Sequence, residues 1–190
     1  MKNIREQQNI PKIHFKAKLF KINSWLLLRL PKSTSAKLPS RGLTMVKGTL
    51  NGFPFQTALE PDGAGSHWFR LNETLRKAAK IDEGDTVTLS IEPTKEWPEP
   101  EVPLDLKNAL DAVPQAKKLW LDFTPMARWD WIRWIRSTKN KDTRKRRIIV
   151  TFSKFKDGKR RPCCFNRTIC TVPDVSNNGK LLEPEESTTT

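Results

Sequence analysis

The sequence predicts an α+β protein: an N-terminal six-stranded closed β-barrel with two short helices, then a C-terminal bundle of about four short α-helices. Three observations lead there. Between residues 12 and 92, short runs alternate apolar and polar side chains or stay apolar throughout, and Gly, Pro and Asn punctuate them. From residue 103 the apolar spacing changes to i, i+4, i+7, the mark of a helix face. Residues 92–103 (EPTKEWPEPEVP) hold four Pro, which can continue neither a helix nor a central strand. The expected organisation is therefore a barrel over 10–93, a linker over 94–102, a helical domain over 103–160 and a tail without fixed structure over 174–190.

The barrel strands follow in order. In residues 12–22 (KIHFKAKLFKI), Ile13, Phe15, Ala17 and Leu19 share one face and Lys12, His14, Lys16 and Lys18 the other. Residues 24–30 (SWLLLRL) read as a more deeply buried strand that Pro31 stops, with a short helical turn over 32–38. Residues 42–50 and 53–60 form the next two strands. Asn51 and Gly52 between them supply the two positive φ values a tight hairpin turn needs. Residues 66–71 make the fifth strand, and Asn72 caps a helix over 73–79 through its side-chain oxygen. Residues 84–92 (GDTVTLSIE) make the sixth. Six strands in so short a span favour closure, because a barrel has no edges to protect. A faint repeat supports this. Arg29-Leu30 and Arg70-Leu71 each precede a short helix, a Gly (Gly42, Gly84) and a Val-containing strand (Val46, Val87).

Four helices are expected beyond the linker. The first carries Leu106, Leu110 and Val113. The second opens at Pro114 and buries Ala116, Leu119, Trp120 and Phe123. Thr124 followed by Pro125 is a start signal for the third, which runs to about Thr138. Its buried stripe is Trp131, Ile132 and Ile135, with Trp129, Arg133 and Arg136 on the opposite side. Asp142 or Thr143 caps the fourth, which ends at Gly158 and buries Ile148, Phe152 and Phe155. On that wheel Arg146, Arg147 and Lys154 point outward. Arg144 borders the apolar stripe and should lay its stem on apolar surface and pair with a carboxylate such as Asp122 or Asp130.

Two family resemblances rest on these residues. The runs LPKSTSAKL, VKGTLNGFPFQTAL and GSHWFRLNETLRKAAKIDEGDTVTLSIEP resemble a small bacterial barrel domain of unknown function. The runs VPLDLKNALDAVPQAKKLWLDF, WDWIRWIRSTKNKDTRKRRI and FKDGKRRP resemble the YdeI/OmpD-associated helical domain, also called the bacteriocin-protection family. The resemblance implies this order of folds and a link to bacteriocin protection or envelope stress. It implies no catalytic residues. Cys163, Cys164, Cys170 and the tail match neither pattern.

Charge narrows the function classes. The chain has 190 residues and a net charge of +14. Residues 128–167 alone hold 15 basic and 3 acidic side chains. That surplus suits a polyanion. The candidate surface is Arg146, Arg147 and Lys154 on the last helix, continued by Lys159, Arg160 and Arg161. The expected partner is a protein or a polyanion, with nucleic acid and an anionic membrane surface as the alternatives. No apolar run approaches a membrane span and no secretory leader is evident, so a cytoplasmic location is expected. Two His and three Cys without zinc spacing predict no metal, no cofactor and no catalytic constellation. His14 and His67 are expected at the surface, and Glu60, Asp62 and Asp85 in turn and cap roles.

Overall fold

The computed structural model describes residues 12–163 and 165–184. The expected barrel start at residue 10, Cys164 and the end of the tail (185–190) lie outside the described residues. The chain divides into two compact units. Among the described residues, one comprises 12–60 together with Gly65–Lys95; the other comprises Pro61–Ala64 and those of 96–184.

Six strands make the first unit: β1 (Ile13–Ile22), β2 (Trp25–Arg29), β3 (Thr44–Leu50), β4 (Phe53–Pro61), β5 (His67–Arg70) and β6 (Thr86–Pro93). They close into a barrel in the order β1-β2-β5-β4-β3-β6. Two short helices, α1 (Lys32–Ser35) and α2 (Glu73–Ala79), follow β2 and β5. The interior is filled by alternate strand residues, among them Leu19, Leu28, Val46, Leu50, Leu59, Phe69, Val87 and Leu89. Asn72 Oδ1 accepts the Leu75 N–H at 2.7 Å and so caps α2.

The repeat is realised as a pseudo-two-fold axis. Exchanging β1, β2 and β3 with β4, β5 and β6 leaves every neighbour relation in the ring unchanged. Leu28 pairs with Phe69, and Thr49 with Ser90; in each pair the partner is 41 residues further on. The flanking pairs mirror each other, Leu27 with Arg70 against Arg29 with Trp68, and Gly48 with Ile91 against Leu50 with Leu89. Each half-barrel thus contributes a strand pair, a short helix and a closing strand.

The second unit holds α3 (Leu104–Ala112), α4 (Pro114–Asp122), α5 (Pro125–Arg136) and α6 (Lys141–Lys156). Its core joins Leu106, Leu110, Trp120, Phe123, Trp131, Ile135, Ile148 and Phe155. Phe155 meets Phe123 and Trp131 edge-on, with ring centroids 4.8 and 5.3 Å away, the geometry aromatic quadrupoles favour. Thr124 Oγ1 caps α5 by accepting the Ala127 N–H at 3.3 Å. The cap of α6 is Asn140, whose Oδ1 accepts the Thr143 N–H at 2.9 Å. It replaces the expected Asp142 or Thr143, because the helix starts earlier, at Lys141. The Pro-rich stretch packs on α5: Trp129 Nε1 donates to the Pro98 carbonyl at 3.2 Å, and Arg128 pairs with Glu99.

The tail differs from its expectation over 174–184. Ser176–Asn177 (β7) and Lys180–Leu181 (β8) form a small hairpin. Its turn is Asn178-Gly179, both at positive φ. Val172, Val175 and Leu181 are buried. Three apolar anchors and a tight turn suffice to order this segment in spite of its polar composition.

Two glycines test the barrel. Gly52 has φ +85° with open space around it, so only backbone strain opposes a side chain there. A Cβ on Gly48 would lie 1.9 Å from the Ser90 carbonyl oxygen on β6. Gly52→Val should cost about 1–3 kcal/mol in urea unfolding. Gly48→Ala should cost more, because β3 and β6 must separate to admit the methyl group. A Gly48→Ala midpoint equal to wild type would disprove this register of β3 on β6.

Candidate functional site

The helix α6 turns its faces differently from the sequence-derived wheel. Thr151 is fully buried beside Ile148 and Phe155. Its Oγ1 donates to the Arg147 carbonyl at 2.8 Å within the same helix, which satisfies the hydroxyl without water. A buried position that looks polar shifts the core-facing stripe and carries Arg147 with it.

The six candidate cations separate into two groups. Arg146 and Lys159 are exposed and Lys154 is half-buried. Arg147 is not solvent-facing as expected. It donates to the Trp134 carbonyl and to Ser137 Oγ, both at 2.6 Å, and lies over the Trp134 ring. It thereby closes the exposed carbonyl end of α5. Arg160 is exposed but pairs with Asp122 at 2.5 Å. Arg161 is half-buried, 3.7 Å from Asp130. Arg144 does pair with a carboxylate, but it is Asp105 near the start of α3, at 2.5 and 3.0 Å, and not Asp122 or Asp130. The Arg144 guanidinium holds the Asp105 carboxyl below the usual carboxylate range.

The outward face of α6 is built around Ile149. Lys145, Arg146 and Lys156 stand four residues before, three before and seven after it, which places them on one side of the helix. All three are exposed, as are Lys139 and Lys141 ahead of them and Lys159 beyond. Among the described residues none of these six cations forms an ion pair. Lys145 and Lys156 were missed by a wheel centred on Ile148, Phe152 and Phe155. An Ile between lysines at i−4 and i+7 was the signal available.

The helix α5 is covered on both sides, which overturns the outward placement of Arg133. Its side chain has no exposure. It donates to the carbonyls of Arg167 and Ile169, the latter at 3.2 Å, and lies over the Phe165 ring. Trp131 Nε1 donates to the Arg160 carbonyl at 3.0 Å and Arg136 donates to Thr171 Oγ1 at 3.1 Å. Residues 160–163 and 165–171 therefore run back along the polar side of α5. Asp130 sits beneath them, buried, with Arg161 and Arg167 at 3.7 and 4.0 Å. Its Oδ2 has no hydrogen-bond partner among the described residues. Burial raises the Asp130 carboxyl above its ordinary range, and the charges of Arg167, Arg161 and Arg133 oppose that rise.

The remaining chemistry-bearing residues have structural surroundings. His67 is fully buried, contrary to expectation, while His14 is exposed. His67 Nε2 donates to the Gly42 carbonyl at 2.9 Å, and Nδ1 lies 2.7 Å from Ser35 Oγ. Ser35 is itself fully buried, so this Ser–His pair ties α1 and the approach to β3 onto β5 and offers no substrate access. Asp62 Oδ1 accepts the Ala64 N–H at 2.7 Å and Asp85 Oδ2 accepts the Asp82 N–H at 2.8 Å, both turn roles. Cys163 is exposed and Cys170 buried. Among the described residues no three His, Cys, Asp or Glu side chains gather into a metal-binding group. No helix there is long and apolar enough to cross a membrane.

A closed barrel followed by a helical domain with one cationic face defines a two-domain architecture, and comparison with known proteins agrees. Residues 15–91 match the family described as a domain of unknown function, DUF1905. Residues 99–163 match the family described as bacteriocin-protection, YdeI or OmpD-associated. The two matches follow one another along the chain in that order. No curated protein matches it.

Asp130 supplies a test with a definite sign. Its raised pKa means the folded state favours the protonated form, so its contribution to stability falls as pH rises through the raised value. Asn imitates the neutral form, and the two arginines that face the carboxylate keep access to water. Asp130→Asn should therefore raise the melting temperature at pH 7 and leave it unchanged well below the ordinary carboxylate pKa. A loss of stability at pH 7 would show that the ion pairs outweigh the burial cost.

Proposed function

We propose that this chain is a non-enzymatic binding protein whose helical domain presents the outer face of α6 to an acidic partner, with a part in bacteriocin protection. The observation that carries this reading is the unpaired cationic face: Lys139, Lys141, Lys145, Arg146, Lys156 and Lys159 are exposed, with no carboxylate within ion-pair distance among the described residues. Cations already paired within the protein have little left for a partner. Unpaired ones shed counterions when they meet a polyanion, so the surface gains binding free energy at low salt. The name of the second family supports the biological part of the proposal.

The aromatic residues do not favour a base-stacking surface on α5. Trp131 and Trp120 are buried, Trp134 lies beneath Arg147, and Trp129 packs edge-on against Trp97 with ring centroids 6.4 Å apart. At α5, nucleic acid would have to be held through its phosphates.

The test is heparin chromatography of the full chain across a salt series. Wild type should be retained at low ionic strength and released as salt rises. The triple variant Lys145→Glu, Arg146→Glu, Lys156→Glu should elute early, with a salt slope smaller by about one for each lost contact. Its stability should stay within about 0.5 kcal/mol of wild type, since these side chains are exposed. Arg147→Glu should instead destabilise the domain by about 2 kcal/mol or more, because it removes the donors at the end of α5. Equal retention of wild type and the triple variant would sink the α6 reading.

A further inference from the structure

Three large apolar side chains of the second unit are left mostly in solvent: Leu104 (71% exposed), Ile149 (69%) and Leu121 (62%). Their positions relate to α6. Ile149 stands in the middle of its cationic face. Leu104 is the neighbour of Asp105, which Arg144 grips near the start of α6. Leu121 follows Trp120, whose ring packs against Phe155 near the end of α6, with centroids 6.2 Å apart. Of the three, Ile149 is the one on the open side of α6, which carries Lys145, Arg146 and Lys156 together with the exposed Asp142 seven residues before it.

A phosphodiester chain uses the cations of such a face and has no use for a protruding isoleucine. A folded acidic protein would need a pocket to receive it. An anionic bilayer meets both demands, since its headgroups attract the ammonium and guanidinium groups while the boundary with the acyl chains takes up the apolar side chains. Long lysine stems suit this arrangement, because they reach the headgroups while their methylenes lie along apolar surface. We propose that α6 docks in the plane of an anionic membrane surface. Lys141, Lys145, Arg146 and Lys156 contact lipid phosphates, and Ile149 inserts at the headgroup boundary. The proposal rests on the reading of α6 as the docking surface and names its partner.

The experiment is co-sedimentation of the full chain with phosphatidylcholine vesicles, with and without about one third phosphatidylglycerol, run beside heparin chromatography. Ile149→Asn is the diagnostic variant; the position is exposed, and circular dichroism with a melting curve checks the fold. Binding should require phosphatidylglycerol and weaken with salt. Ile149→Asn should reduce it about tenfold while heparin retention stays unchanged, because only the bilayer rewards the apolar group. Phosphatidylglycerol-dependent binding that Ile149→Asn does not weaken would overturn insertion. No vesicle binding with heparin retention intact would overturn the membrane proposal and leave the acidic-partner reading standing. Loss of both activities in the wild type would overturn both.

Discussion

The buried guanidinium of Arg133 organises the helical domain. A charge without exposure is tolerable only when hydrogen bonds replace its water. Here carbonyls of Arg167 and Ile169 help do so, and the Phe165 ring lies alongside. Meeting that demand brings Arg167 and Ile169 back over α5. Trp131, Arg136 and Asp130 then acquire partners on the same segment, and α5 becomes a central helix with an apolar side and a polar side, both covered. The hairpin of β7 and β8 follows further along the same returning chain.

The same economy sorts the cations. Arg147, Arg160 and Arg161 are drawn to the carbonyl end of α5, to Asp122 and to Asp130, so half of the expected patch serves the fold. What remains outward is the stripe around Ile149. Arginine dominates the paired set and lysine the unpaired one. A planar guanidinium can satisfy several acceptors at once, as Arg128 does with carbonyls of Trp120, Leu121 and Phe123 and with Glu99. Lysine, with one compact ammonium, is better left in water.

In the barrel the governing condition is closure by two equivalent halves. The Leu28–Phe69 and Thr49–Ser90 pairs lie where the halves cross, so local choices recur on both sides of the axis. Gly48 belongs to one of these crossings. Its missing side chain lets β3 approach the Ser90 carbonyl, a need that comes from a residue 42 positions further along the chain.

The sequence by itself determined what depends on neighbours along the chain. Alternation along 13–19 set the inward face of β1. The Asn51-Gly52 turn, the Asn72 and Thr124 caps and the i, i+4, i+7 stripes placed most elements to within a few residues, because turn, cap and periodicity are local chemistry. Only the tertiary structure decided which polar side chains went inside. Thr151, Arg133, His67 and Ser35 all look like surface residues in sequence and are buried because partners arrive from the same helix, from 167–169 or from across the barrel. Periodicity reports apolar character, whereas burial of a polar group depends on a hydrogen-bond partner that can lie tens of residues away. That difference explains why the cationic face was foreseen as a property of the last helix while its actual members, Lys145 and Lys156 with Ile149 between them, emerged from packing.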